Sequence, residues 1–127
     1  MPMTKPEMIA LVERYFVAVD AKDVEGTLAH YTPDCCITVE NAGIQHVGRD
    51  TAIRDMLERM FGQFESIWHG EFRHVADEEA STIASQFLYR NVALDGTRGE
   101  AHNCNIARVE DGRFSAISVY MATNTLT

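Results

Sequence analysis

The sequence predicts an α+β fold, with helices in the N-terminal half of the chain and an antiparallel meander of strands in the C-terminal half. Apolar residues recur at helical spacing as far as residue 64, whereas from residue 68 onward strand-like runs are separated by short polar links. Helices first and a meander last is an α+β order. The chain has 127 residues, 46% of them hydrophobic, so we expect one domain over residues 1–127.

The first helix is predicted to begin at a capping box, in which the Thr4 and Glu7 side chains each accept from one free backbone N–H. Apolar residues then recur at three- and four-residue spacing as far as Asp20, which predicts one buried stripe. This stripe consists of Met8, Leu11, Val12, Tyr15 and Val19.

A second, short helix is predicted after Asp23, a suitable N-cap, with Val24, Leu28 and Tyr31 on one face. It should end at residues 32–34, Thr-Pro-Asp. Residues 35–40 are short and rich in β-branched side chains, which predicts a strand, and residues 41–43 predict a turn.

A third helix is predicted to open at Gly48, and it has the clearest periodicity in the chain. Its apolar positions follow the i, i+3, i+4, i+7 pattern, which predicts one buried face. They are Ile53, Met56, Leu57, Met60, Phe61 and Phe64.

Four strands are predicted in the second half, over residues 68–76, 82–94, 100–110 and 114–122. The links between them have hairpin length, so consecutive strands should pair antiparallel. The sequence does not determine which side chains of residues 82–94 face inward. The hairpin length allows either Gln86 and Leu88 or Phe87 and Tyr89 to do so.

The net charge of −8 disfavours a phosphate-binding surface and adhesion to anionic lipid. The first residues do not resemble a signal peptide, and no run of apolar residues is long enough to span a bilayer. We therefore expect a cytoplasmic protein that binds neither nucleic acid nor membrane. Its three cysteines, two of them adjacent and none in a CxxC motif, are expected to be reduced.

The histidines do not predict a metal site, since no pair has HxH or HxxxH spacing. His69 and His74 should face opposite sides of their predicted strand, because side chains alternate along a strand. No serine lies in a GxSxG context, and no glycine loop is suited to cradle phosphate. We expect neither a metal nor a cofactor.

Four stretches, residues 12–15, 20–26, 47–54 and 108–114, resemble in this order the nuclear-transport-factor-like superfamily. Within it, the resemblance is to the SnoaL-like polyketide cyclases and the ketosteroid isomerases. It implies a cystatin-like cone, with three N-terminal helices packed in the concave face of a curved, mainly antiparallel sheet. It also implies a pocket at the wide end and a homodimer through the convex face. Function is not implied, because the superfamily includes several enzyme classes and proteins without catalysis.

The resemblance to ketosteroid isomerases implies catalytic positions. The tyrosine that holds the oxyanion falls on Tyr15, and a supporting tyrosine falls on Tyr31. The aspartate that shuttles the proton falls on Asn41, whose amide cannot act as a base. The protonated aspartate of the oxyanion hole falls on Asn105, whose N–H can still donate. The resemblance therefore keeps the oxyanion hole and lacks the usual base.

Residues 99–105 and 20–23 are also similar to the scytalone dehydratase group. This similarity implies that Asn105 holds the substrate and that Asp20 lies in the pocket, with His69 as a candidate for one catalytic histidine. His69 could serve as acid or base only if it faces inward.

The concave face is expected to carry Tyr15, Asn103, Asn105, Ile117, Val119 and Met121, and the convex face His102, Cys104, Ile106 and Tyr120. Further ligand contacts are expected from the third helix and the strand after it, although such residues are also typical of an ordinary core. They are Met56, Leu57, Met60, Phe61, Trp68 and Phe72.

We therefore expect a protein that binds a small, largely apolar molecule of polyketide, steroid or aromatic type. Isomerase, cyclase or dehydratase chemistry would take place without the usual base. The alternatives are a noncatalytic ligand carrier in the same pocket and a dimerisation module with a filled interior. Amides that face a hollow would favour the first two, and a titratable group in the cavity would favour catalysis.

Overall fold

The computed structural model of the chain describes residues 2–122, so the outermost residues of the expected domain, 1 and 123–127, lie outside the described part. The helices are α1 (Lys5–Asp20), α2 (Val24–Leu28) and α3 (Arg54–Gln63). The strands are β1 (Tyr31–Val39), β2 (Ile44–Val47), β3 (Phe64–Asp77), β4 (Thr82–Ala93), β5 (Arg98–Glu110) and β6 (Arg113–Met121).

Helix α1 begins at the predicted capping box. The Glu7 backbone N–H donates to Thr4 Oγ1 at 3.3 Å, and the Thr4 N–H donates to Glu7 Oε1 at 2.9 Å. Every residue of the predicted stripe is buried, and Phe16 is buried with them. The sequence prediction for this helix is confirmed.

Helix α2 ends earlier than predicted, because Tyr31 is the first residue of β1 and no part of the helix. Its side chain is fully buried in the core. Strand β1 is therefore longer than the predicted strand at residues 35–40, and the short strand β2 follows the turn. Strand β2 was not predicted from the sequence, because it has only four residues and three of them are exposed.

The third helical segment opens at Gly48 as predicted, but its first six residues, Gly48–Ile53, form a π-helical turn that continues into α3. Gly48 has φ of 100°, a backbone conformation that favours glycine. The prediction for Phe64 is wrong, because its backbone is extended and it begins β3.

The strands form one unclosed sheet in the order β2-β1-β6-β5-β4-β3. All neighbours pair antiparallel except β1 and β6, which are parallel. The helices pack against this sheet, which confirms the α+β cone. The Phe87 and Tyr89 side chains of β4 face the helices, so they are the inward pair, and Gln86 and Leu88 are not.

Strand β3 contains a bulge that the sequence did not reveal. Between the pairs Gly70–Leu88 and Arg73–Gln86, β3 has one residue more than β4. Glu71 lies in this interval with φ of 53°. The extra residue reverses the alternation of side chains, so His69 and His74 both face the helices. The prediction that they face opposite sides is wrong for this reason.

Candidate functional site

A mainly apolar cavity of about 160 Å³ lies between the helices and the concave face of the sheet. Its polar lining comes from five side chains, which are Tyr15, His69, Tyr89, Asn103 and Asn105. The rest is apolar and comprises Phe16, Val19, Ile37, Val39, Met56, Leu57, Met60, Phe87, Ile117, Val119 and Met121.

Most of the residues proposed from sequence lie on this wall, and others were missed. Tyr15, His69, Asn103, Asn105, three residues of the third helical segment and three of β6 are among the lining residues. The missed residues come from α1, β1 and β4, and they are Phe16, Val19, Ile37, Val39, Phe87 and Tyr89. Phe16 is the neighbour of Tyr15 in the sequence. Phe87 and Tyr89 could not be assigned, because the sequence did not determine which side chains of β4 face inward.

Several expected ligand contacts lie elsewhere. Trp68 is 42% exposed on the face of β3 opposite to His69, where Arg90 stacks on its ring at 5.3 Å. Phe72 packs behind the cavity, with its ring centre 5.5 Å from that of Phe16. Phe61 is buried in the core, and Tyr31 is fully buried. The spacing of these side chains in the sequence predicted that they pack in the interior, but it did not show which of them line the cavity.

Asn41 does not reach the cavity either, which corrects the expectation that it takes the position of the catalytic base. Its side chain is exposed and pairs with the backbone of Met121. The Asn41 Nδ2–H donates to the Met121 carbonyl at 2.9 Å, and Oδ1 accepts from the Met121 N–H at 2.8 Å. The amide thus continues the β1–β6 pairing beyond the end of β1.

His69 lies on the cavity wall and is held by Asp20. Asp20 is the last residue of α1, and α1 packs across β3. Its Oδ1 lies 2.6 Å from His69 Nδ1, and its Oδ2 accepts from the His69 backbone N–H at 2.9 Å. Because a carboxylate only accepts, Nδ1 carries the hydrogen, and in the neutral ring Nε2 is an acceptor.

Aromatic rings surround the His69 imidazole. The ring centres of Phe16, Tyr89 and Phe87 lie 4.4, 4.8 and 5.3 Å from its own. Burial, and to a smaller extent the Asp20 carboxylate, raises the pKa of Tyr89, so its hydroxyl stays protonated and can donate. The Asp20–His69 pair therefore combines an oriented imidazole with an apolar surrounding, a typical environment for acid–base catalysis.

Tyr15 lies deeper in the cone, where its hydroxyl is 2.6 Å from that of Tyr31. Burial raises the pKa of Tyr15 to about 12 and that of Tyr31 well above its ordinary value. Both phenols therefore remain neutral. If Tyr31 donates to Tyr15, the Tyr15 hydrogen is free for an acceptor in the cavity.

Two amides of β5 complete the polar wall. The Asn103 Oδ1 accepts from the Ala122 backbone N–H at 3.2 Å, which leaves its NH₂ group as a donor. The Asn105 Oδ1 is buried and has no hydrogen-bond partner. Within residues 2–122, no group of three or more His, Cys, Asp or Glu side chains is placed to hold a metal ion. None of the helices in this part of the chain has the length and apolarity needed to cross a bilayer.

Comparison with solved structures shows the same fold at low sequence identity. AusH from Aspergillus nidulans superposes with a TM-score of 0.83 at 17% identity, over 98% of this chain and 89% of that one. The BvnE pinacolase from Penicillium brevicompactum gives 0.79 at 12% identity, over 94% and 88%. A protein with a ketosteroid isomerase-like fold from Catenulispora acidiphila, in complex with trimethylamine, gives 0.79 at 11% identity, over 91% and 88%.

At such identities the structural likeness shows the fold alone, and no curated protein matches the sequence significantly. The sequence profile of the SnoaL-like domain, by contrast, matches residues 12–117, which include the cavity wall from Tyr15 to Ile117. The match covers most of the chain and agrees with the cone of helices and sheet. The chain therefore belongs to the SnoaL-like domain family.

Proposed function

We propose that this protein binds a small, largely apolar carbonyl compound in the cone and moves a proton on it with the Asp20–His69 pair. The observation that carries the proposal is the 2.6 Å contact between Asp20 Oδ1 and His69 Nδ1 at the wall of an otherwise apolar cavity. The activity would be that of an isomerase or a lyase, the latter including dehydratases and cyclases.

The chemistry follows from the donors and acceptors on the wall. His69 Nε2 would accept the hydrogen bound to the carbon next to the ligand carbonyl, so that a C–H bond breaks and an N–H bond forms. The electron pair moves to the carbonyl oxygen, where Tyr15 and Asn105 would donate to the enolate. Return of the proton to another carbon gives isomerisation. Its transfer instead to a hydroxyl group on the next carbon, whose C–O bond breaks so that water leaves, gives dehydration.

The size and lining of the cavity suit such a ligand. An apolar cavity of about 150 Å³ admits benzene, and the volume here is about 160 Å³. We therefore propose a ligand with at least one aromatic or alicyclic ring inside the cavity. The net charge of −8 makes a nucleic-acid partner unfavourable.

We also propose that the protein is a homodimer through the convex face of the sheet. Ile106 and Tyr120 are 40% and 45% exposed there, next to His102 and Cys104. Apolar side chains in the middle of a sheet face are typical of interfaces. The free thiols of Cys35, Cys36 and Cys104 agree with the reducing conditions of the cytoplasm, which is the compartment we propose.

The test is hydrogen–deuterium exchange at the carbon next to the carbonyl of 1-indanone, followed by NMR in deuterium oxide. This readout measures proton abstraction and does not require the natural product. We expect exchange above buffer with the wild type. In His69→Gln it should fall to the background, since a positioned base is typically worth about a hundred- to ten-thousand-fold. In Asp20→Asn it should fall more than about tenfold, because the ring loses its oriented tautomer.

His46→Gln is the matched control, because His46 lies on β2, outside both the cavity lining and the proposed dimer interface. Equal exchange in wild type and His69→Gln would refute the assignment of the base. Binding of 1-indanone without exchange would instead support the noncatalytic carrier.

A further inference from the structure

Asn103 is an amide on the cavity wall that the proposed chemistry does not use. Its side chain lines the cavity from β5 and is only 8% exposed. Burial of an amide is unfavourable unless its polar atoms find partners. The partners of its oxygen and its nitrogen therefore indicate what the cavity offers to a ligand at this point.

The backbone of Ala122 fixes the orientation of this amide. The Ala122 N–H lies 3.2 Å from Asn103 Oδ1. Since a backbone N–H only donates, the atom next to it must be the amide oxygen. The NH₂ group lies at the other end of the amide, and within residues 2–122 it has no hydrogen-bond partner. It is therefore a donor that a ligand in the cavity can use.

The sheet places Asn103 across the cavity from the proposed base. Phe87 pairs with Asn103 across β4 and β5, and the Phe87 ring centre lies 5.3 Å from that of His69. Phe87 also lines the cavity, so it lies between the two polar side chains. Strands β3 and β5 are two strand spacings apart, about 10 Å. A ligand ring that packs on Phe87 would thus have the imidazole on one side and the Asn103 amide on the other.

Asn103 is also separated from the proposed oxyanion site along β5. Asn103 and Asn105 lie on the same face of the strand, two residues and about 7 Å apart. Asn105 lies with Tyr15 at the deep end of the cone. Asn103 instead pairs with Met121, the last residue of β6, whose side chain is 45% exposed. It is therefore the amide nearer to the open end of the cavity.

We infer that the substrate is a ring ketone with a second oxygen acceptor, and that Asn103 is the residue that selects for this oxygen. The ketone oxygen would lie at Tyr15 and Asn105, and the carbon that loses its proton would lie at His69. The second oxygen then lies on the other side of the carbonyl, where the Asn103 NH₂ group donates to it. Aryl ketones with a hydroxyl or alkoxy group on the carbonyl side of the arene belong to this class. The inference rests on the proposed function, from which it takes the positions of the carbonyl and of the reacting carbon.

Two isomeric probes test this inference. In 6-methoxy-1-indanone the added oxygen lies on the same side of the arene as the carbonyl, and in 4-methoxy-1-indanone it lies on the remote side. Both methoxy groups are meta to the carbonyl, so the isomers match in size and in their electronic effect. We expect the wild type to bind the 6-methoxy isomer about threefold to tenfold more tightly, the worth of one hydrogen bond. Equal affinities, or a preference for the 4-methoxy isomer, would overturn the inference.

Asn103→Leu removes the donor and keeps the branched shape of the side chain. The preference for the 6-methoxy isomer should then disappear. Gln45→Leu is the matched control, because it removes an exposed amide from β2, outside both the cavity lining and the proposed dimer interface. This control should keep the preference of the wild type. A preference that survives in Asn103→Leu would refute the role of Asn103.

Nuclear magnetic resonance of the wild type tests the inference without a variant. The side-chain NH₂ protons of Asn103 should move downfield when the 6-methoxy isomer binds, and less when the 4-methoxy isomer binds. The methoxy protons of the first isomer should show cross-relaxation to Met121, which lies opposite Asn103 on β6. Cross-relaxation to the His69 ring instead would reverse the orientation of the ligand and overturn the inference.

The two proposals fail in different ways. An isomer preference that depends on Asn103, without deuterium exchange in the wild type, would support this inference and refute the proposed proton transfer. Exchange that depends on His69, without any isomer preference, would leave the proposed function intact and refute the selection by Asn103.

Discussion

His69 and His74 lie on the same face of β3, and each is bound to an acidic residue of α1. Asp20 holds the first and Glu13 the second. The two contacts are possible together because the bulge at Glu71 reverses the side-chain alternation between them. One helix and one strand thereby form two separate carboxylate–imidazole pairs, one at the cavity and one behind it.

The backbone of the bulge should respond to substitution at Glu71. Its φ of 53° is unfavourable for residues with a Cβ, and its side chain is exposed. Glu71→Gly should raise the free energy of unfolding by up to about 1 kcal/mol, and Glu71→Val should lower it by about 1 kcal/mol. Urea unfolding measures both. Arg73→Val, at a regular exposed position of the same strand, is the control and should change little. A loss of stability in Glu71→Gly would contradict the left-handed conformation.

A carboxylate at Asn41 should destabilise the fold and not create a base. Asn41→Asp keeps the acceptor toward the Met121 N–H but places a carboxylate oxygen against the Met121 carbonyl. We expect the free energy of unfolding to fall by about 1 kcal/mol. Glu40→Gln at the neighbouring exposed position is the control. Faster deuterium exchange into 1-indanone in Asn41→Asp would show that the side chain reaches the cavity.

Alkaline pH should weaken the fold through Tyr15, Tyr31 and Cys35. Burial raises the pKa of Tyr15 from 10.0 to about 12 and that of Cys35 from 9.0 to about 12. Since the raised pKa favours the protonated form in the folded state, this stabilisation is complete below the unfolded values. It is lost as the pH rises toward 12. The urea midpoint should therefore fall from about pH 9 upward.

Tyr15→Phe tests the contribution of the buried phenols. It removes one buried phenol and the hydrogen bond to Tyr31, so the midpoint should be lower at neutral pH and should fall less steeply above about pH 10. Tyr120→Phe, which keeps both buried phenols and the aromatic ring on the convex face, should show the same dependence on pH as the wild type. A midpoint independent of pH in this range would mean that the phenols ionise without loss of structure.

Charge on the convex face should separate the proposed homodimer. Ile106→Lys combined with Tyr120→Lys places two ammonium groups in each half of the interface. Multi-angle light scattering at micromolar concentration should give twice the protomer mass for the wild type and the protomer mass for the variant. Val17→Lys, at an exposed position of α1, should remain dimeric. A monomeric wild type would refute the dimer, and in that case the Cys104 thiol should react equally fast in both proteins.

Local patterns were sufficient to predict most of the fold. The capping box at Thr4 and the apolar stripe of α1 depend on neighbours within one or two turns, and the structure has both as predicted. The parallel pairing of β1 with β6 joins residues far apart in the chain, and no local pattern encodes it.

The candidate site was harder to predict for the same reason. Asp20 reaches His69 only because α1 crosses β3 next to the bulge, and neither feature follows from spacing. Asn41 was assigned by position along the chain, but its orientation depends on where β6 ends. Which side chains of β4 face inward depends on how β4 pairs with β5, where Ser85 lies opposite Asn105. This pairing exists only in the folded sheet.

The two edge strands of the sheet affect how easily the protein could pair with other chains and aggregate. A long, straight edge strand offers unpaired N–H and C=O groups to other chains, as in amyloid. One edge here is β2, with four residues, and the other is β3, which the bulge at Glu71 interrupts and which carries exposed charges such as Glu65 and Arg73. Neither edge presents a flat, regular ladder of backbone groups. The irregularity that brings two histidines to one face therefore also makes this edge a poor template for pairing with a strand of another chain.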